Sequence, residues 1–372
     1  MQYFNKASLW LLAIVMFSYA CSSPSTEQET ATTEDSTTME RQARWSVEQA
    51  NEWYEQQGWM AGCDFIPSNA INQLEMWQEA TFSPELIDKE LGFAESIGFN
   101  AVRVYLHHLA WQEDQEGFKQ RVEEYLQIAD SHNIGTMFVI FDDVWNDTYQ
   151  AGTQPEPKPG THNSGWIQDP GKMIHDDSAA TYPILEEYVK DIITTYKDDD
   201  RVVVWDLYNE PGNSDYENES MPLLQSVFRW ATEVNPSQPL TVGVWSLPLE
   251  DLNEYQIAHS DVISYHNYGD KADHQQWIND LKQYGLPMLC TEYMARTRNS
   301  TFESILPMLK ENNISAFNWG LVSGKTNTIY AWNTPIPDGS EPEIWFHDIF
   351  RQNGEPYSEE EVTLIKDVTG AE

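Results

Sequence analysis

The sequence predicts an α/β protein, a (β/α)8 TIM barrel formed by a single domain over residues 44–372. Three observations carry this. Eight short β-rich runs alternate with amphipathic helical stretches beyond Arg44, the pattern of parallel β/α units. The chain has 372 residues, 40% hydrophobic and 22% charged, which is enough for one large core. No Gly-x-Gly-x-x-Gly turn opens any helix, so an open dinucleotide-binding sheet is not indicated.

The strand-like runs fall at residues 58–67, 100–106, 136–144, 202–209, 240–245, 262–268, 287–293 and 315–322. The fourth reads Val-Val-Val-Trp-Asp-Leu-Tyr-Asn, β-branched and aromatic residues suited to a strand covered on both faces. Apolar residues at helical spacing place helices at 84–97, 117–133, 182–196, 221–234, 273–284 and 301–312, with a weak one at 249–257. Ser83-Pro84-Glu85 is a helix start: a capping hydroxyl, proline in the first turn, then an acid. A Pro/Gly/Asp-rich connection, residues 146–181, follows the third run; connections of that length are commonly lids or binding loops.

The first residues read as a processing signal. Lys6 precedes an apolar run from Leu9 to Phe17, too short to span a bilayer, and Ser18-Tyr19-Ala20-Cys21 follows. Residues 1–21 are therefore expected to be a lipoprotein-type signal peptide, since Ala20-Cys21 resembles a bacterial lipobox. Cys21 would carry the lipid and hold an exported protein to a membrane, periplasmic or at the cell surface. Plain secretion with cleavage near Ala20 is the alternative. Residues 22–43, poor in apolar groups, read as a polar tether. Cys63 and Cys290 sit in apolar runs and are expected as buried free thiols.

Twenty-one basic residues face 60 acidic ones, a net charge of -39. Such a chain repels a phosphate backbone, so nucleic acid is not an expected partner, and polyanionic glycans are disfavoured. The 15 Trp and 18 Tyr supply flat apolar faces that fill a core or stack on sugar rings.

Barrel active sites gather at the C-terminal ends of the strands. Those ends carry Arg103 on the second run and Asn209-Glu210-Pro211 after the fourth. His266-Asn267-Tyr268 ends the sixth, Glu292 the seventh, and Trp319 lies on the eighth. In this order they resemble a clan A glycoside hydrolase, most similar to family 5, over about residues 50–350. Two departures stand out. Asp142-Asp143-Val144-Trp145 occupies the end of the third run, where family 5 often shows a His. Gly62-Cys63-Asp64-Phe65-Ile66-Pro67 is more like family 2 barrels such as β-mannosidases.

The resemblance implies a carbohydrate substrate, no metal and no cofactor. It makes residues 44–372 a catalytic domain. Glu292 would be the nucleophile of a retaining mechanism and Glu210 the acid/base, its pKa raised by the nearby Glu292 anion. Arg103 and Tyr268 would keep Glu292 ionised, and Asn209 would bond the sugar 2-hydroxyl. His266 would contact Glu210 or a sugar hydroxyl, and Trp319 would floor the reacting ring. Trp145 is a further candidate sugar contact. Asp142, Asp143 and Trp166 bind sugar or build the loop, and Asp142, Asp143 and Asp147 alternatively offer oxygens to Ca2+. Glu75 and Trp77 line outer subsites or pack their loop. His107-His108 lacks a third ligand at metal spacing. The implied activity is cleavage of a β-linked glycan, of endo-glucanase, mannanase or xylanase type. An exo-acting mannosidase or galactosidase, or a non-catalytic glycan-binding lipoprotein, are the alternatives. The sequence leaves sugar, linkage and oligomeric state open.

Overall fold

The computed structural model describes residues 44–371. The expected signal segment with Cys21, and the tether 22–43, lie outside the described residues. Eight strands are present: β1 (Ala61–Asp64), β2 (Ala101–Tyr105), β3 (Gly135–Asp142), β4 (Val202–Asn209), β5 (Leu240–Thr241), β6 (Ile263–His266), β7 (Met288–Tyr293) and β8 (Ser315–Trp319). They pair in parallel in the order β5-β4-β3-β2-β1-β8-β7-β6. The ends of the sheet meet through a Val244–Tyr265 bridge and a 2.8 Å hydroxyl pair, Thr241–Ser264. The (β/α)8 barrel expected from the sequence is thus formed, with its thinnest seam at β5. Just beyond β5, a Cβ at Gly243 would stand 3.2 Å from the His266 ring, so the glycine makes room for that side chain.

The helices fall close to their expected positions. Pro84–Ser96, Gln115–Ser131, Ser178–Tyr196, Met221–Val234, Glu250–His259, Lys271–Leu281 and Phe302–Glu311 stand between the strands. Sequence periodicity missed Val47–Gln57, His108–Glu113 and Glu359–Thr369. The first and last of these bury only two residues and one residue, so their apolar stripe is faint.

Inside the barrel the side chains form layers, since alternate residues of each strand point inward. On β2 these are Ala101, Arg103 and Tyr105. Ala101 joins Met137, Val204, Val262, Leu289 and Phe317 in an apolar plug. Arg103 lies in a charged layer above it, and Tyr105 joins Trp166 and Trp319 nearer the mouth. The outward faces of the strands pack on the helices in the main core. Cys63 and Cys290 are buried and unpaired, as expected.

Candidate active site

Glu210 is the first residue past β4. Its φ of 46° is left-handed, an uncommon and strained backbone state for a residue with a side chain and one that clusters at functional sites. Glu292 stands near the end of β7, where the register against β6 slips so that His266 faces Glu292. The two acids, from strands across the mouth, meet through one ring. His266 Nδ1 lies 2.8 Å from Glu210 Oε1 and 3.5 Å from Glu292 Oε2. Carboxylate oxygens of the two acids lie within 4.8 Å of each other.

Each acid has a distinct setting. Glu292 accepts hydrogen bonds from Tyr268 (2.8 Å), Arg103 (3.0 Å) and Tyr105 (3.1 Å). Glu210 accepts from Asn213 Nδ2 at 2.6 Å. Burial pushes its carboxyl up to about 7, while the Asn213 hydrogen bond and the Arg103 charge pull it back. The expected cause, the Glu292 anion, is not what raises it: removal from water is. His266 is driven down to about 4 by burial, against the pull of Glu292, and is neutral at pH 7. Its Nε2 has no partner among the described residues. The ring proton therefore sits on Nδ1, where it is donated to Glu210.

Beneath the mouth, Arg103 is fully buried. It donates to Asp64 (2.6 Å), Asp206 (2.8 and 3.0 Å), Tyr105 (2.6 Å) and Asn209 Oδ1 (2.7 Å) as well as Glu292. Three carboxyls thus share one guanidinium. Burial drives the Asp64 carboxyl well above its ordinary range, against the pull of Arg103. Sequence reading missed Asp64, Tyr105 and Asp206 as partners. The signal was present: a buried arginine requires acids, and Asp64 and Asp206 lie within the first and fourth strand runs.

Above the acids lies a cavity of about 810 Å3, within the ordinary range for a ligand pocket. Glu210, Glu292, Asn209, His266, Tyr268, Trp319 and Trp145, all expected from the sequence, line it together; Arg103 does not reach it. Trp319 packs edge-on against Trp166 and Tyr105, at 5.3 and 5.7 Å. Sequence reading missed His162 and Trp332 on one side of the cavity, and Asn213, Trp245 and Trp277 on the other.

Several sequence candidates hold the fold instead. Trp77 is buried and donates to Tyr105 O at 2.7 Å. Glu75 accepts from Ile71 N and Lys325 Nζ. Neither lines the cavity, so the outer-subsite reading of both is replaced by loop packing. Asp143 accepts from Tyr208, Ser220 and Gly212 N, and Asp142 from Asn209, Trp166 and Val144 N. Donors occupy the oxygens a Ca2+ would need. His107, His108 and Asp169 do cluster in space, a third ligand that spacing had hidden. Yet His107 Nδ1 accepts from Leu109 N and Nε2 meets Gln168 O, so no lone pair is left for an ion.

An eight-stranded parallel barrel with two acids facing each other across an aromatic mouth is the architecture of a glycoside hydrolase. The chain belongs to glycosyl hydrolase family 5: the family's cellulase model matches residues 74–325. Among solved structures, the endo-β-1,4-mannanase of Thermotoga petrophila is similar at 14% identity. It covers 86% of this chain and 77% of its own, with a TM-score of 0.53. A family 5 enzyme of Streptomyces cattleya in complex with Manβ1-4GlcNAc matches at 12% identity, 84% and 80% coverage and TM-score 0.57. A family 5 mannosidase of Rhizomucor miehei matches at 15%, 84% and 92%, and 0.51. No curated protein matches the sequence.

Proposed function

We propose that the protein is a retaining β-glycosidase that removes single sugars from the non-reducing ends of β-linked oligosaccharides, mannosides first among them. One observation carries the retaining mechanism: the oxygens of Glu210 and Glu292 come within 4.8 Å. Retaining sites hold their carboxyls about 5–5.5 Å apart, whereas inverting ones need about 6.5–9.5 Å for an intervening water. Glu292, held by hydrogen bonds from Arg103 and Tyr268, attacks the anomeric carbon. Glu210, protonated below about pH 7, gives its proton to the leaving oxygen. In the second step Glu210 takes a proton from water, which attacks the anomeric carbon and frees Glu292. These steps call on no metal or cofactor.

The exo reading rests on one side of the cavity. The 146–181 connection is stitched to the segment after β8. Asn163 N donates to Thr326 O (2.8 Å), Ile336 N to Gly160 O (2.9 Å), Asn327 Nδ2 to Lys158 O (2.9 Å), and His162 Nδ1 meets Tyr330 O (2.8 Å). The stitched loops join the top of β3 to that of β8, across β1 and β2. The acid that protonates the leaving group stands just past β4, beyond the β3 end of this wall. The sugar bearing the anomeric carbon therefore lies against the wall, and the leaving chain exits past β4 to β6. The similarity to mannosidases and mannanases places mannosides first in the test.

The test is a panel of aryl β-mannoside, glucoside, galactoside and xyloside, with mannan, xylan and β-glucan. Release of single sugars with little fall in polymer viscosity is expected. The Glu292→Ala variant should lose about 10^4-fold or more in kcat. Early viscosity loss would reinstate endo cleavage. A first-formed product of inverted anomeric configuration, read by NMR, would refute the double displacement.

A further inference from the structure

We propose that Asp142 is a positioning residue: it fixes the amide of Asn209 as a pure donor to the sugar 2-hydroxyl and fastens the loop wall to that amide. The inference rests on the retaining-glycosidase reading above.

Asp142 ends β3, and the β3–β4 register sets it opposite Asn209. It is buried, and three N–H groups converge on it. Its Oδ1 accepts from Asn209 Nδ2 (2.8 Å) and Val144 N (2.9 Å), and its Oδ2 from Trp166 Nε1 (2.8 Å). Its backbone exchanges two hydrogen bonds with Asp169, at 2.7 and 2.8 Å, near the far end of the same loop. Asn209 is held from its other side, where Oδ1 accepts from Arg103 Nη2 at 2.7 Å. An amide has two N–H donors and one oxygen. The oxygen faces Arg103 and one N–H faces Asp142, so what Asn209 presents to the cavity is its second N–H. A flipped amide would set oxygen against the Asp142 carboxyl and N–H against the guanidinium. Asp142 and Arg103 together forbid it.

The same carboxyl extends this control to the wall. Trp166, held through Nε1, packs edge-on against Tyr105 at 5.0 Å and against Trp319 at 5.3 Å. An unbroken chain of hydrogen bonds thus runs from Glu292 through Arg103, Asn209 and Asp142 to Trp166. A carboxyl is required at its centre. An Asp142→Asn variant would keep its one oxygen where Asn209 Nδ2 and Val144 N converge and would lose Trp166 alone, so it does not test the amide. In an Asp142→Leu variant, close to aspartate in shape, no acceptor is left on this side of Asn209. Its amide is then free to turn or move, and the N–H offered to the sugar is no longer fixed.

The experiment compares an aryl β-glycoside of the panel, the mannoside if it is cleaved, with its 2-deoxy analogue. Wild type, Asp142→Leu, Asn209→Ala and the double variant are assayed on both. On the parent glycoside Asp142→Leu should lower kcat about 10- to 100-fold, the worth of one hydrogen bond to a charged or charge-developing group. KM should stay within about 3-fold, because the contact strengthens in the transition state. On the 2-deoxy substrate the loss should shrink to about 3-fold or less, and the double variant should be no slower than Asn209→Ala. Asp142→Ser, whose shorter side chain leaves the Asn209 amide without its carboxyl, is assayed in the same way if Asp142→Leu is not recovered folded. Equal losses on both substrates would reduce Asp142 to a structural residue and overturn the proposal. No turnover of any panel glycoside by the wild type would instead bring down the active-site reading, and the proposal with it.

Discussion

The two halves of the barrel mouth are built differently. Over β8, β1, β2 and β3 the loops are stitched to one another and, through Trp166 and Asp142, to the charged layer below. The β4 connection is tied to the same wall through Gln168, which meets Ser214 and Tyr216 at 3.0 Å each, whereas over β5 and β6 the cavity is lined by Trp245, Trp277 and Asp273, from separate connections. Trp245 there reaches only Pro211 O, at 3.1 Å. On the exo reading proposed above, the first half is a fixed mould for one sugar, and the second is a rim along which leaving groups of different length pass. Rigidity is placed where the transition state forms, since a pre-organised polar site needs no rearrangement as charge develops.

The largest effect that this contrast predicts lies at the root of the walled half. Arg103→Leu leaves Asp64, Asp206 and Glu292 without their shared cation. Removing one member of a buried ion cluster costs roughly 3–5 kcal/mol. Urea unfolding should show a loss of that size, and turnover should fall with it. A variant that unfolds at the wild-type midpoint would mean that the knot is not what holds the walled half in place.

The barrel and the grouping of its strand-end residues were legible because strand ends have a rule: whatever chemistry a barrel does gathers there. Glu210, Glu292, His266, Tyr268 and Trp319, read off four strand ends, line one cavity. The fixed wall was not legible. Its contacts join residues 158–163 to 326–336, two stretches without periodicity, and no local pattern says that His162 will meet Tyr330 O. Asp142 marks the border between the two cases. Its position was visible, but its partner Trp166 sits 24 residues on in the loop. The source of the Glu210 shift was equally hidden, since burial is a tertiary property, whereas a neighbouring charge can be guessed from a motif.

A middle-sized effect concerns the acid that stands between the halves. With Glu210 at about 7, kcat/KM for oligosaccharides should fall as pH rises through 7, because only the protonated form serves the first step. Glu210→Gln should lose that limb. It should slow oligosaccharide cleavage about 10^2- to 10^4-fold, and much less for aryl glycosides whose leaving groups need no proton. Stability shifts as well. The folded state keeps the Glu210 proton up to about 7, while the unfolded chain releases it near 4.5. Wild-type stability therefore drops relative to the glutamine variant as pH rises from 4.5 to 7 and levels off above it. Melting curves at pH 4.5 and 7.5 measure the difference; a wild type that gains stability relative to the glutamine variant between the two would contradict the raised pKa.

The smallest effect lies on the open rim. Trp245 is half-buried and lines the cavity on the side proposed for the leaving chain. Trp245→Ala removes one stacking face and one weakly held indole, and leaves both acids, the Arg103 knot and the loop wall untouched. Stability should change little, and aryl glycosides, which place little beyond the cleaved bond, should be turned over at near wild-type rates. For tri- and tetrasaccharides KM should rise about 3- to 10-fold with kcat steady, the mark of binding that is equal in ground and transition states. Trp332→Ala on the walled side gives the opposite test, since Trp332 packs on Tyr268 at 4.9 Å, the residue that donates to Glu292. Its effect should appear in kcat and should not depend on substrate length. If Trp245→Ala lowers kcat on aryl glycosides as much as Trp332→Ala does, the two halves of the mouth do not divide the work.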